Sequence, residues 1–159
     1  MDIKSRHHLR DDEISSLCAD LEDKLGVDIT GDSFESVEFD DSERTVILVD
    51  GDPLIATFAG EYFLTVQGAN VFEAAAHKVT VDAGAVSFVS DGANVMRPGI
   101  VEATDDIEKE DLVVIVEETH GKALAVGRAK TSGADMIGDQ GNVIETLHHV
   151  GDELFEFQV

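Results

Sequence analysis

The chain is short of positive charge. Its 159 residues hold 34 Asp and Glu against 11 Lys and Arg, a formal charge of −23. At low salt such a balance repels polyanions. The acids are spread along the chain and form no terminal tail, which reads as a solvated acidic surface. With only six lysines, this is the composition expected of a protein from a salt-rich cytoplasm. It points to a halophilic archaeal source, with nucleic-acid mimicry as the distant alternative. Salt at 1 M shortens the reach of carboxylate repulsion to roughly 3 Å.

Cysteine is almost absent. Cys18 stands alone, so no intramolecular disulfide forms. It falls on an apolar helix face, which suits a buried structural thiol better than a nucleophile. No apolar run approaches the roughly 20 residues that cross a bilayer. Met1 to Arg10 lacks a hydrophobic signal-peptide core. The expectation is a soluble, cytoplasmic protein with no membrane partner. A Walker loop, a dinucleotide fingerprint after a first strand and a nucleophile elbow are missing too. The many carboxylates show no spacing that singles out an acid–base pair. We therefore expect no catalytic residue, no cofactor and no enzymatic activity.

What is present reads as a mixed α+β chain. Ile14, Leu17, Cys18, Leu21 and Leu25 form one stripe of an amphipathic helix, with Asp11, Asp12 and Glu13 at its start and Gly26 as its stop. Val37 and Phe39 alternate with acids. Thr45 to Val49 is a β-branched run, and Asp50-Gly51 turns it into Leu54 to Phe58. Tyr62 to Val66 reads as a strand and Gly68 to Ala76 as a short helix. Leu112 to Val116 is an almost continuous apolar run suited to burial on both faces. A turn at Thr119 to Lys122 returns the chain through Ala123 to Lys130. Asn142 to Val150 reads as an irregular crossing, and Glu153 to Phe157 as a short strand. No linker rich in Pro, Gly or Ser separates residues 1–77 from 78–159. The two parts are expected to pack rigidly around Lys78 to Asp82.

The densest stretch is Val81 to Gly99. Gly84, Gly92 and Gly99 allow positive φ and close approach of another backbone, while Pro98 suits the edge of a strand. Such a segment can cradle a phosphodiester chain. The run Asp91-Gly92-Ala93-Asn94-Val95-Met96-Arg97-Pro98-Gly99-Ile100 closely resembles the signature of the PUA domain, an RNA-binding module of pseudouridine synthases and archaeosine transglycosylases. The likeness continues more loosely through Val113 to Val116, Ala123 to Lys130 and Leu154 to Phe157. The upstream half resembles, in layout, the small domain before the PUA domain in archaeal relatives of the malignant T-cell-amplified sequence translation proteins. The resemblance implies a small α+β pre-PUA domain over residues 1–77 and a β-rich PUA pseudo-barrel over 78–159. It also implies a stand-alone RNA-binding protein, since the catalytic domains that often accompany PUA modules would not fit in this length.

Carried over by position, the expected RNA-binding residues are Gly92, Ala93, Asn94, Val95, Met96, Arg97, Pro98 and Gly99, with Arg128 and Lys130 beside them on one strand face. Arg97 offers a fork for phosphate or a base edge, or an ion pair with an acid. Lys4, Arg6, His7, His8 and Arg10 form a locally basic stretch, either an RNA-touching arm or a sheet cap held by ion pairs. His148-His149 near Asp152 is a poor metal site, because adjacent strand residues face opposite ways and no thiolate accompanies them. The expected partner is tRNA or rRNA, with the small ribosomal subunit or a translation factor as the setting the resemblance implies. The alternative is a protein-interaction adaptor in which the PUA fold is structural.

Overall fold

The computed structural model describes residues 1–159. Two sheets share one chain, and each grows from local signals in the sequence. The first is an antiparallel meander of β1 (Ile3–His8), β2 (Phe34–Phe39), β3 (Thr45–Val49), β4 (Asp52–Phe58) and β5 (Glu61–Leu64), paired in that order. Asp50 and Gly51 both have positive φ, 52° and 89°, the twist that a two-residue hairpin turn requires. Helix α1 (Asp11–Leu25) buries Leu17, Leu21 and Leu25 against this sheet and stops at Gly26, whose N–H bonds the Glu22 carbonyl at 2.9 Å. Cys18 is half-buried on the same face, and burial pushes its thiol pKa up, with Glu22 adding to the rise.

The basic N-terminal stretch is not a free arm. It forms the edge strand β1, in which Arg6 is answered across the sheet while Lys4, His7 and His8 make no ion pair. Arg6 makes a two-pronged contact with Glu35, Nε to Oε2 at 2.7 Å and Nη2 to Oε1 at 3.1 Å. Arg10 reaches Asp12 at 3.2 Å. The ion-pair alternative thus holds for Arg6 and Arg10.

Helix α2 (Val66–Phe72) is capped by Thr65, whose Oγ1 accepts the Gly68 N–H at 3.0 Å and donates to the Pro53 carbonyl at 2.8 Å. Gly68 lies so close to β4 that a Cβ there would strike the Leu54 carbonyl.

The second sheet runs β7-β11-β10-β9-β6-β8, built from β6 (Lys78–Val81), β7 (Val95–Met96), β8 (Ile100–Ala103), β9 (Leu112–Glu117), β10 (Ala123–Ala129) and β11 (Asn142–His149). Only the β6–β9 pairing is parallel. The two edge strands, β7 and β8, follow one another in sequence through a single turn at Arg97–Gly99, which draws the sheet into a near-closed pseudo-barrel. A short helix, α3 (Val86–Ser90), lies between β6 and β7.

Two expectations fail here. Asn142 to Val150 is no irregular crossing: eight of its residues form β11, paired with both β10 and β7. Glu153 to Phe157 is not a strand. It begins with α4 (Glu153–Glu156), because the Asp152 carboxylate accepts the Phe155 N–H at 2.8 Å and so nucleates a helical turn.

β9 joins the two sheets. Leu112, Val114 and Val116 belong to a 28-residue core shared with β2–β5, α1 and the C-terminal Leu154 and Phe157. Val113 and Ile115 point the other way, into the 14-residue barrel interior. The continuous apolar run thus serves two faces, as its lack of alternation predicts. Each such fully buried aliphatic side chain contributes about 1.5–3 kcal/mol.

Candidate nucleic-acid interface

After β6, the Asp82 carboxylate accepts the Ala85 N–H at 3.0 Å and starts the helical turn that leads into α3. The chain then reverses at Gly92, φ +92°. Of the three glycines expected to exploit positive φ, only Gly92 does so. Gly99 instead permits close approach, since a Cβ there would lie 3.0 Å from the Ala85 Cβ.

Two side chains of β11 fix the turn, and nothing local in the sequence announces them. His149 Nδ1 lies 3.0 Å from the Ser90 carbonyl and 2.9 Å from that of Val150. Both partners are acceptors, so Nδ1 donates and Nε2 is the free ring nitrogen. That nitrogen faces Gly92, where an added Cβ would stand 2.7 Å away. Thr146 completes the grip. Its N–H donates to Asn94 Oδ1 at 3.0 Å, and its hydroxyl donates to the Ala93 carbonyl at 2.8 Å.

α3 and the Gly92–Gly99 segment enclose a groove of about 520 Å³. Ala85, Phe88, Val95, Met96 and Pro98 line it, and Asp82 is its one charged lining residue. Phe88 is 66% exposed and Met96 49% exposed. The chain has eight phenylalanines. Five lie in the large core and two more pack against it, which leaves Phe88 as the one ring outside.

Residues 77–150 match the PUA domain family. The chain contains a PUA domain. Its relatives include an uncharacterized protein of Methanocaldococcus jannaschii, 46% identical over 81 residues, which is 50% of each chain. Translation machinery-associated protein 20 of Saccharomyces cerevisiae is 36% identical over 118 residues, 70% of this chain and 65% of that one. The match to these two thus spans half to about two thirds of the relatives' length. Two solved structures resemble it along nearly the whole chain. A hypothetical protein of Pyrococcus horikoshii superposes with a TM-score of 0.81 at 28% identity, covering 96% of this chain and 98% of that one. A conserved PUA domain protein of Thermoplasma acidophilum gives 0.83 at 27%, covering 95% and 97%. The protein is therefore related to archaeal PUA proteins and to the translation-associated family of protein 20 and the malignant T-cell-amplified sequence proteins.

The cations of the PUA domain are placed differently from expectation. Arg97 makes neither a free fork nor an ion pair. Its Nε donates to the Asp135 carbonyl at 2.9 Å and Nη1 to the Gln140 carbonyl at 3.1 Å, clamping the loop that leads into β11. Arg128 lies in β10 and Lys130 one residue past its end at Ala129. Both reach Glu110: Arg128 Nη1 donates to its carbonyl at 2.6 Å, and Lys130 Nζ lies 3.5 Å from its carboxylate. The Lys130 N–H bonds the Val143 carbonyl on β11, whose neighbours pair with Met96 and Val95, so these cations flank the groove two strands away.

His148, next to His149, faces the opposite side and is fully buried. Its Nε2 accepts the Val66 N–H at 3.1 Å, and its Nδ1 donates to Asp152 at 2.8 Å, so the ring bridges α2 and α4. Burial lowers the His148 pKa more than Asp152 raises it, keeping the ring neutral. Burial alone would raise the Asp152 carboxyl. The hydrogen bonds from His148 and from the N–H groups of Phe155 and His149 outweigh that and hold it at about 2. This pair is a junction between α2 and α4.

Proposed function

We propose that this protein is a non-enzymatic, cytoplasmic RNA-binding component of translation that holds tRNA or rRNA in the groove between α3 and Gly92–Gly99. The setting we infer is the translation machinery, in line with the name of the Saccharomyces cerevisiae relative, with the small ribosomal subunit or a translation factor as the partner. One observation carries the reading: the chain spends seven phenylalanines on its core and leaves Phe88 exposed beside a rigid, small-residue turn. Ala93, Asn94, Val95, Met96, Pro98 and the two glycines supply backbone approach and apolar contact. Arg97 holds the neighbouring loop, and Arg128 and Lys130 supply a minor, flanking charge. Residues 78–159 carry the RNA, and residues 1–77 brace them through the shared core.

The acidic balance argues for this kind of contact. Each phosphate contact costs about 0.7–0.9 log units of affinity per tenfold rise in salt. Stacking on a ring contributes about 1–3 kcal/mol per base and suffers far less from screening. The test is binding of total tRNA and small-subunit rRNA in about 2 M KCl, where the Debye length is only a few Å. Phe88→Ala should weaken saturable binding by about tenfold or more. Arg97→Glu is the wrong probe, because it would release the loop it clamps. Equal binding by wild type and Phe88→Ala would overturn the assignment of the groove. No RNA binding, with a protein partner found instead, would favour the adaptor alternative.

A further inference from the structure

A second groove, of about 470 Å³, opens between α2 and the β9–β10 turn, at the seam of the two halves. That volume is ordinary for a small-molecule site. Val114, Val116, Ala69 and Ala74 give it an apolar floor, and its polar lining includes Asn70, Lys78, His120 and Lys122.

Two cations without a carboxylate partner line it. Elsewhere Arg6, Arg10, Lys24 and Lys130 each have a carboxylate within 4.0 Å. Arg97 and Arg128 hold carbonyls. Lys78 and Lys122 are bound only through their backbone N–H groups, to Thr104 Oγ1 at 3.1 Å and Glu117 Oε1 at 3.0 Å. Neither ammonium has a protein partner; exposed Lys4 and Lys109 have none either and Arg44 lies over the Phe58 ring, so what sets this groove apart is two such ammoniums lining one cavity beside the fixed Asn70 amide. Lys78 is moreover half-buried.

The neighbouring acids are accounted for. Glu117 is engaged by the turn itself, accepting the N–H groups of His120 and Lys122 at 2.6 and 3.0 Å and lying 3.5 Å from His120 Nδ1. Glu73 is the one acid in the lining, and it is exposed. Asn70 Oδ1 accepts the Ala123 N–H at 2.8 Å, which leaves its NH2 group as a fixed donor.

We propose that this groove binds a phosphate group, carried by a nucleotide or by an RNA backbone, with Lys78 and Lys122 as its counter-charges and Asn70 and His120 as further donors. The site is independent of Phe88 and of the RNA reading above.

The test follows the amide resonances of Asn70, Gly121 and Lys122 in the full chain during titration with inorganic phosphate, AMP and a short single-stranded RNA. Saturable shifts are expected. A response to AMP identifies a nucleotide site, and a response to RNA alone identifies a backbone contact. Lys78→Gln with Lys122→Gln, which removes both charges and keeps most of each side chain, should weaken the response by about tenfold or more. Phe88→Ala should leave the AMP response unchanged while weakening RNA binding, which separates failure of one reading from failure of the other. Absence of shifts with all three probes, or equal shifts in the double variant, would overturn the proposal.

Discussion

The large core and the barrel interior meet along β9 but are filled with different side chains. Five phenylalanines anchor the large core, where α1 and the open sheet leave space between layers. The barrel interior holds none: it is packed with Val, Ile, Leu, Ala and one Met. A small barrel has a lumen just wide enough for its own side chains, and bulky rings would force the strands apart. The ring that the barrel half does carry in this region, Phe88, therefore lies outside. Aromatic residues thus have different surroundings on the two sides of β9, buried on one and exposed on the other.

The largest effect should come from removing a ring on the buried side. Phe63 is 0% exposed, and Phe63→Ala should cost about 3–5 kcal/mol in urea unfolding at fixed KCl. Ile115→Val, a one-methyl change in the barrel interior, should cost about 0.5–1.5 kcal/mol. If the barrel change proved the more costly, the two cores would not differ as described.

A smaller effect should appear at the junction between them. His148 is neutral when folded and binds a proton less readily than in the unfolded chain. The unfolded state therefore takes up more protons, and stability should fall as pH drops below about 6.5. Asp152, held at about 2, keeps its contribution throughout that range. Urea midpoints between pH 7.5 and 5.5 should show the decline, and His148→Asn, weaker throughout, should show a shallower one. Parallel slopes would mean that the junction does not exclude the proton.

The smallest effect on stability belongs to the exposed side. Phe88→Ala should shift unfolding by no more than about 0.5 kcal/mol, despite removing the same ring as Phe63→Ala. A large loss would class Phe88 with the core rings.

Much of this was legible in sequence wherever the signal is local. The α1 stripe, its Gly26 stop, the Asp50-Gly51 turn and the two-faced run of β9 are set by neighbours within a few residues. The Gly92 turn was legible for the same reason. What could not be read depends on partners far along the chain. Arg97 finds its carbonyls 38 and 43 residues away, and Thr146 finds Ala93 and Asn94 at 53 and 52. β1 was obscured because an edge strand facing water carries charge instead of apolar alternation. The C-terminal turn was misread as a strand because Leu154 and Phe157 are apolar, whereas the Asp152 cap decides the backbone.

β9 also bears on how this sequence is free to drift. Leu112, Val114 and Val116 answer to the first sheet, and Val113 and Ile115 to the barrel. A change at either parity must be compensated on a different side of the molecule, by residues that do not touch one another. Neighbouring positions of one strand thus carry two separate histories of substitution. Along this stretch, relatives that differ at even positions should also differ in the N-terminal half, and those that differ at odd positions should differ within the barrel.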